Sequence, residues 1–241
     1  MCYYVSISVN SKIIETRFGV KFTQSELFKP IFSASAFTYP LMPIISNENP
    51  SQISPMYWGL IPFWVKDENT ARSLRQRTLN ARSETIFTKP MFKHSIQAKR
   101  CLVLVDGFFE WRHFNNKSYP YYIRLSDHQP FALAGIWDKW QNPDTKDEIK
   151  TFSVITTEAN SLLAEIHNTK KRMPVILSPE YERTWLANDL GKAEIAAMLK
   201  PYAGDMAAYP VDRSIQKLGL NISYSNVINE KHYDDLPLLQ T

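Results

Sequence analysis

Cysteine is almost absent from this sequence: 241 residues contain two, Cys2 and Cys101. Two thiols cannot build a disulfide framework, and a chain of this length buries enough surface to do without one. Glycine is also sparse, with 7 residues against 15 prolines, and no Gly/Ser linker, internal repeat or low-complexity tract divides the chain. We therefore read one continuous domain over residues 1–241. No apolar run approaches the ~18 residues of a membrane helix, and the N-terminal region lacks the basic, apolar and small-residue segments of a secretory signal. These absences predict an intracellular, cytoplasmic protein with no membrane partner. A dominant charge is missing too: 28 Lys+Arg against 24 Asp+Glu leave +4, which permits a polyanionic partner without requiring one. His94, His113, His128 and His232 have no metal-ligand spacing with the cysteines. Neither a metal nor another cofactor is expected.

What is present is globular: 44% hydrophobic, 22% charged and 13% aromatic residues. Short β-rich runs recur at 3–8, 101–105, 121–125, 131–137, 152–157 and 174–177. Between them lie helix signals: Thr23 and Glu26 at capping-box spacing, Pro90 ahead of Phe92 and Ile96, a segment over 158–166, and Ser178-Pro179 as N-cap and N1. The strands are too many and too evenly spread for a doubly wound parallel sheet. The expectation is an α+β fold, with a curved, barrel-like mixed sheet flanked by short helices.

Several segments could carry chemistry. Once Met1 is removed, as expected when a small side chain follows, Cys2 would offer an α-amine and a thiol with ordinary pKa values of about 7.7–8.0 and 8.5. Position alone favours the simpler reading, that Cys2 is only the first position of a strand. In Leu79-Asn80-Ala81-Arg82-Ser83-Glu84, Asn80 can orient an amine or carbonyl and Arg82 can grip a phosphate, or Asn80 can serve as a helix cap. Asp106-Gly107 is a turn signal. Glu110 alternates with Phe109 and Trp111, so it is either a proton-retaining acid in an apolar pocket or a surface residue on an edge strand. His167 stands where a helix gives way to a strand and suits either a proton shuttle or a match to the helix dipole. In Trp58-Gly59-Leu60-Ile61-Pro62-Phe63-Trp64, we expect Trp58 buried and Phe63 and Trp64 nearer the surface, where they could stack on bases.

Met1-Cys2, WGLIPFW, LNARSET, DGFFEWR and IHNTKKRMPVIL, in this order, together with MAAYPVDRSIQKLG near the C-terminus, resemble the SRAP family of abasic-site processing proteins, also called SOS response-associated peptidases. The resemblance implies a single α+β domain that binds single-stranded DNA containing abasic sites and links Cys2 covalently to the lesion; a monomer is expected. It further implies that Asn80, Glu110 and His167 assist that chemistry. Arg82, Thr156, Arg172 and the Phe63-Trp64 pair would contact DNA. Two departures stand out. Tyr3 and Tyr4 replace the Gly-Arg that commonly follows the cysteine, which removes one phosphate contact. Asn168-Thr169-Lys170-Lys171 separates His167 from Arg172, so Lys170 or Lys171 could take over the role of Arg172. Two rival readings keep parts of this pattern: an N-terminal-nucleophile peptidase or amidase using Cys2, and a non-covalent single-strand-binding module.

Overall fold

A computed structural model describes residues 2–215 and 225–240. Its strands are β1 (Tyr4–Ile7), β2 (Lys21–Phe22), β3 (Ile31–Ser35), β4 (Leu41–Ser46), β5 (Asn49–Trp58), β6 (Asn80–Arg82) and β7 (Arg100–Val105) in the first half of the order. They continue as β8 (Gly107–Phe114), β9 (Lys117–Leu125), β10 (Phe131–Gln141), β11 (Glu148–Glu158), β12 (Arg172–Pro174), β13 (Ile176–Leu177) and β14 (Met206–Pro210). Short helices lie between them: α1 (Ser11–Phe18), α2 (Glu68–Arg75), α3 (Lys93–Ala98), α4 (Ser161–Ile166), α5 (Pro179–Trp185) and α6 (Lys192–Met198).

The order β5-β4-β7-β10-β11 closes on itself through a parallel pairing of β11 with β5, at Thr151↔Tyr57 and Phe152↔Trp58. The other four pairings around this ring are antiparallel, so the core is a closed, mixed five-stranded barrel, as the α+β expectation anticipated. Closure leaves these strands no free edges within the ring. Trp58 and Phe152 stack at 5.7 Å across the closing pair. Against the barrel lies a second, antiparallel sheet in the order β14-β9-β8-β1-β3.

The turn expected at Asp106-Gly107 is a corner between the two sheets and not a hairpin, because β7 belongs to the barrel and β8 to the second sheet. Asp106 pins the corner to β1 by accepting from Ser6 Oγ (2.5 Å) and from the Ser8 backbone and hydroxyl (2.6 Å each). Gly107 is required there: a Cβ at this position would lie 2.3 Å from the Tyr122 ring, whose hydroxyl is 2.9 Å from Ser6 Oγ.

Three helix expectations shift. Thr23 caps nothing: its N–H and hydroxyl both donate to the Ile53 carbonyl, extending the β2–β5 pairing, and only a three-residue 3-10 turn follows at Ser25–Leu27. The helix expected over 158–166 begins at Ser161, since β11 runs through Glu158 and Asn160 is the cap. Behind Pro90, α3 starts only at Lys93, yet Phe92 and Ile96 are both buried as the spacing implied.

Candidate functional site

Four chain segments meet where the second sheet abuts the barrel. β1 pairs with β8 at Tyr4↔Phe109, which brings the chain ahead of Tyr4 alongside Glu110. β6 lies parallel to β11 with Asn80 opposite Val154 and Arg82 opposite Thr156, while β12 flanks β11 on its other side. α4 ends at Ile166 with His167 as its C-cap, and four residues, Asn168 to Lys171, lead from there to β12. Strand alternation decides the Glu110 question: Phe109 and Trp111 pack into a small apolar cluster on one face, and Glu110 faces the other way, 3% exposed. His167 is also buried, with Nδ1 3.5 Å from Glu110 Oε2 and 2.9 Å from the Arg172 carbonyl oxygen. A carbonyl only accepts, so Nδ1 carries the proton and Nε2 is the basic nitrogen.

Burial dominates the electrostatics. It raises the Glu110 carboxyl to about 7 and lowers the His167 imidazole to about 4. The two groups therefore meet at neutral pH as a carboxyl, part protonated, and a neutral imidazole, and not as a full ion pair. Cys2 is wholly buried, and burial first, then the neighbouring Glu110, push its thiol far above the ordinary range. This corrects the expectation of a partly ionised thiol: the sulfur is held neutral. Cys2 packs in the main hydrophobic core with Glu110 as the titratable side chain that acts on it.

A cleft of about 460 Å³ is lined by Tyr3, the residue next to Cys2, and by Gln76, Arg77, Asn80, Arg82 and Lys89 among others. Both polar atoms of the Asn80 side chain are buried there without a hydrogen-bond partner among the described residues, so the amide keeps a donor and an acceptor unspent. Arg82 is exposed, and Tyr3 lies close enough to feel both Arg82 and Glu110. Phe63 and Trp64 are exposed, at 52% and 42%, while Trp58 is fully buried and donates from Nε1 to the Leu79 carbonyl at 2.7 Å. Thr156 and Arg172 are placed differently from Arg82. Thr156 is fully buried, and the Arg172 guanidinium donates to its carbonyl at 2.7 Å while pairing with Glu84.

The family profile described as SOS response associated peptidase (SRAP) matches residues 1–218. The chain belongs to the SRAP family. The abasic site processing protein YoqW of Bacillus subtilis is 37% identical over 174 residues, covering 71% of this chain and 74% of its own length. The abasic site processing protein YedK of Escherichia coli is 34% identical over 167 residues, or 68% of this chain and 69% of that protein. The abasic site processing protein HMCES of Xenopus tropicalis is 32% identical over 167 residues, and this chain covers only 48% of its length. The crystal structure of a protein from Bacteroides thetaiotaomicron matches with a TM-score of 0.90 at 40% identity, covering 96% of this chain and 100% of that one.

Within this SRAP chain, Lys89, Gln76 and Tyr3 are cleft residues that sequence reasoning did not single out as site residues; Lys89 had no motif around it to mark it. Of the motif MAAYPVDRSIQKLG, residues 216–219 lie outside the described residues. Among the described residues no helix is long and apolar enough to cross a membrane, and no group of three or more His, Cys, Asp or Glu side chains could hold a metal ion.

Proposed function

We propose that this chain, read as one SRAP unit, is an abasic-site processing protein that captures the ring-opened deoxyribose of single-stranded DNA through Cys2. The observation that carries the reading is the buried Cys2 thiol under the influence of Glu110, whose carboxyl lies 3.5 Å from the His167 imidazole, with Tyr3, the next residue, lining a cleft that also holds the Asn80 amide and the exposed Arg82. A neutral thiol is a poor first nucleophile, so the amine leads. With Met1 removed, the Cys2 amine adds to the sugar aldehyde carbon to give a carbinolamine. Protonation of the carbinolamine oxygen releases water and leaves a Schiff base. The thiol then adds to the same carbon, its proton passing to nitrogen, and a five-membered thiazolidine closes.

Each neighbour has a role suited to its state. Asn80 orients the amine. Glu110, part protonated near neutrality, donates to the departing oxygen as general acid. His167, neutral with Nε2 unprotonated, accepts a proton during sugar ring opening. Arg82 holds a flanking phosphate, and Phe63 and Trp64 stack against bases. Thr156 and Arg172 support the lesion side of the cleft through their own contact, which leaves Lys170 or Lys171 to meet a further phosphate. A Schiff base at this carbon also invites β-elimination, and rapid sulfur capture suppresses that lyase reaction. The same thiol, held neutral, argues against a thiolate-led peptidase.

The test is incubation of the protein with an abasic single-stranded oligonucleotide, followed by denaturing electrophoresis and mass spectrometry. A heat-resistant adduct that has lost water, on a protein lacking Met1, is expected. An intact Met1, or the same adduct from Cys2→Ala, sinks the reading, and a product that does not survive denaturation favours non-covalent binding.

A further inference from the structure

We infer that Arg112, Glu165 and Asn168, backed by the segment 225–240, form a clamp that fixes the separation of Glu110 and His167. The inference rests on the proposed role of that pair in the reaction. Its starting point is a weakness in the fold: α4 has six residues, far below the ~12–15 at which a helix becomes marginally stable by itself. Something other than helix propensity must therefore hold His167, the residue that ends it, at a defined distance from β8.

Three cross-links between β8 and the end of α4 do so. Alternation puts Glu110 and Arg112 on the same face of β8, and Glu165 and His167 are likewise two residues apart. The first cross-link is the contact of Glu110 with His167 itself, at 3.5 Å. The second is the buried Arg112 guanidinium, whose Nη2 donates to Glu165 Oε1 at 2.7 Å. The third is Asn168, whose Oδ1 accepts from the His113 N–H at 3.1 Å and whose Nδ2 donates to the His113 carbonyl at 2.8 Å. Asn168 opens the four-residue segment that separates His167 from Arg172, so that segment brackets His167 with a backbone-matched tie on its far side.

The C-terminal segment completes the clamp on both partners. The Pro237 carbonyl accepts from Arg112 Nη1 at 2.6 Å, and the Gln240 N–H donates to Glu165 Oε2 at 2.9 Å. The segment is itself anchored by Tyr233, whose hydroxyl donates to the Val211 carbonyl, by the Lys117–Asp235 ion pair, and by Leu236 and Leu239 against the main core. It lies beyond residue 218, where the match to the family profile ends.

Loosening the clamp lets water reach the imidazole. The groups that act on it are Glu110 and His113 from β8, the chain's amino group, Lys170 from the loop that follows and the Arg172 carbonyl. Desolvation is the largest influence, and it depresses the imidazole, so hydration raises its pKa toward 6.5.

The experiment follows the Cε1–H resonance of His167 by NMR titration in the full chain, alongside the rate of adduct formation on abasic single-stranded DNA. Glu165→Ala and Asn168→Ala are expected to raise the His167 pKa by about one unit and to slow adduct formation at pH 7 about tenfold. That loss is smaller than the ~10²–10⁴ of an entire general acid–base contribution. DNA affinity should be unchanged, and Glu165→Gln, which keeps an oxygen for Arg112, should recover most of the rate. Should Glu165→Ala fail to fold, Asn168→Ala, at an exposed position, carries the test. A lowered melting temperature with an unmoved His167 titration and an unmoved pH–rate profile overturns the clamp. Absence of any adduct from the unmodified protein defeats the functional reading instead, while the NMR titration still decides this one.

Discussion

Cys2 and Cys101 occupy two regions that burial alone cannot tell apart. Both thiols are fully buried, and desolvation raises both far above their ordinary pKa. Their neighbours differ. Cys101 sits inside the barrel opposite Gly135, its sulfur 2.8 Å from where a Cβ on that glycine would stand, and burial is the sole influence on its titration. Cys2 feels Glu110 as well, accepts a hydrogen bond from the Tyr4 N–H, and is followed by Tyr3, which lines the cleft with Asn80 and Arg82. Low exposure and a raised pKa are common to both thiols, so under the proposed function what would set Cys2 apart is the polar groups near it and its adjacent amine.

The sharpest way to break this comparison is to exchange the two residues' fates. Cys2→Ala should abolish the heat-resistant adduct, while Cys2→Ser, which keeps the amine but lacks a competent ring-closing sulfur, should give adducts that decay on heating; both are read on denaturing gels. Next in size is Glu110→Gln, which keeps the shape of the side chain and removes its proton exchange. We expect adduct formation to fall by ~10²–10⁴ and the limb of the pH–rate profile near 7 to vanish. A variant whose rate still turned over near pH 7 would assign that limb to another group.

The sequence made this contrast only partly legible, for physical reasons. The position of Cys2, the alternation around Glu110 and the placing of His167 at a helix end were all visible as local patterns. So was the division between buried Trp58 and exposed Phe63-Trp64, in an apolar run that contains Pro62 and gives way to Lys66. What stayed hidden depends on contacts distant along the chain. Strands β4 and β5 carry Pro43, Pro50 and Pro55, which argue against central strands, yet Pro43 pairs with Pro55 so that two missing donors fall on one rung of the ladder. Asp106-Gly107 signalled a turn but not that it joins two different sheets. Nothing local to Arg112, Glu165 or Asn168 revealed that they tie α4 to β8.

A third prediction concerns stability and has opposite signs for the two titrating partners. The folded pKa of Glu110, about 7, exceeds its ordinary value of 4.5, so the native state binds the extra proton between those pH values. Its contribution is full below about 4.5 and is lost as pH rises through 7. His167 is the reverse: its folded value near 4 lies below 6.5, so its contribution is present above 6.5 and is lost as pH falls through 4. Glu110→Gln should consequently stabilise the protein above pH 7, by roughly 1–3 kcal/mol in urea melts, with little change at pH 4.5. A destabilised Glu110→Gln at pH 8 would mean that the carboxylate is stabilised there by partners stronger than its burial. Smaller still is the effect of Arg82→Ala, which should weaken single-strand affinity and reduce the slope of log affinity against log salt by about 0.7, the signature of one lost phosphate contact.

The smallest expected effect returns to the barrel. Cys101→Ala removes one sulfur from a packed apolar interior, so stability should fall by about 1 kcal/mol through the void it leaves. Cys101→Ser should cost more, because the strand places its side chain among apolar neighbours and a hydroxyl there would lose its water without gaining a partner. Neither substitution touches the groups that act on Cys2, so adduct yield per folded molecule should match the unmodified protein in both, measured on the same abasic oligonucleotide. If Cys101→Ala instead reduced the yield per folded molecule as Cys2→Ala does, the two thiols would be coupled through the barrel wall, and the contrast between a reactive and an inert region would have to be given up.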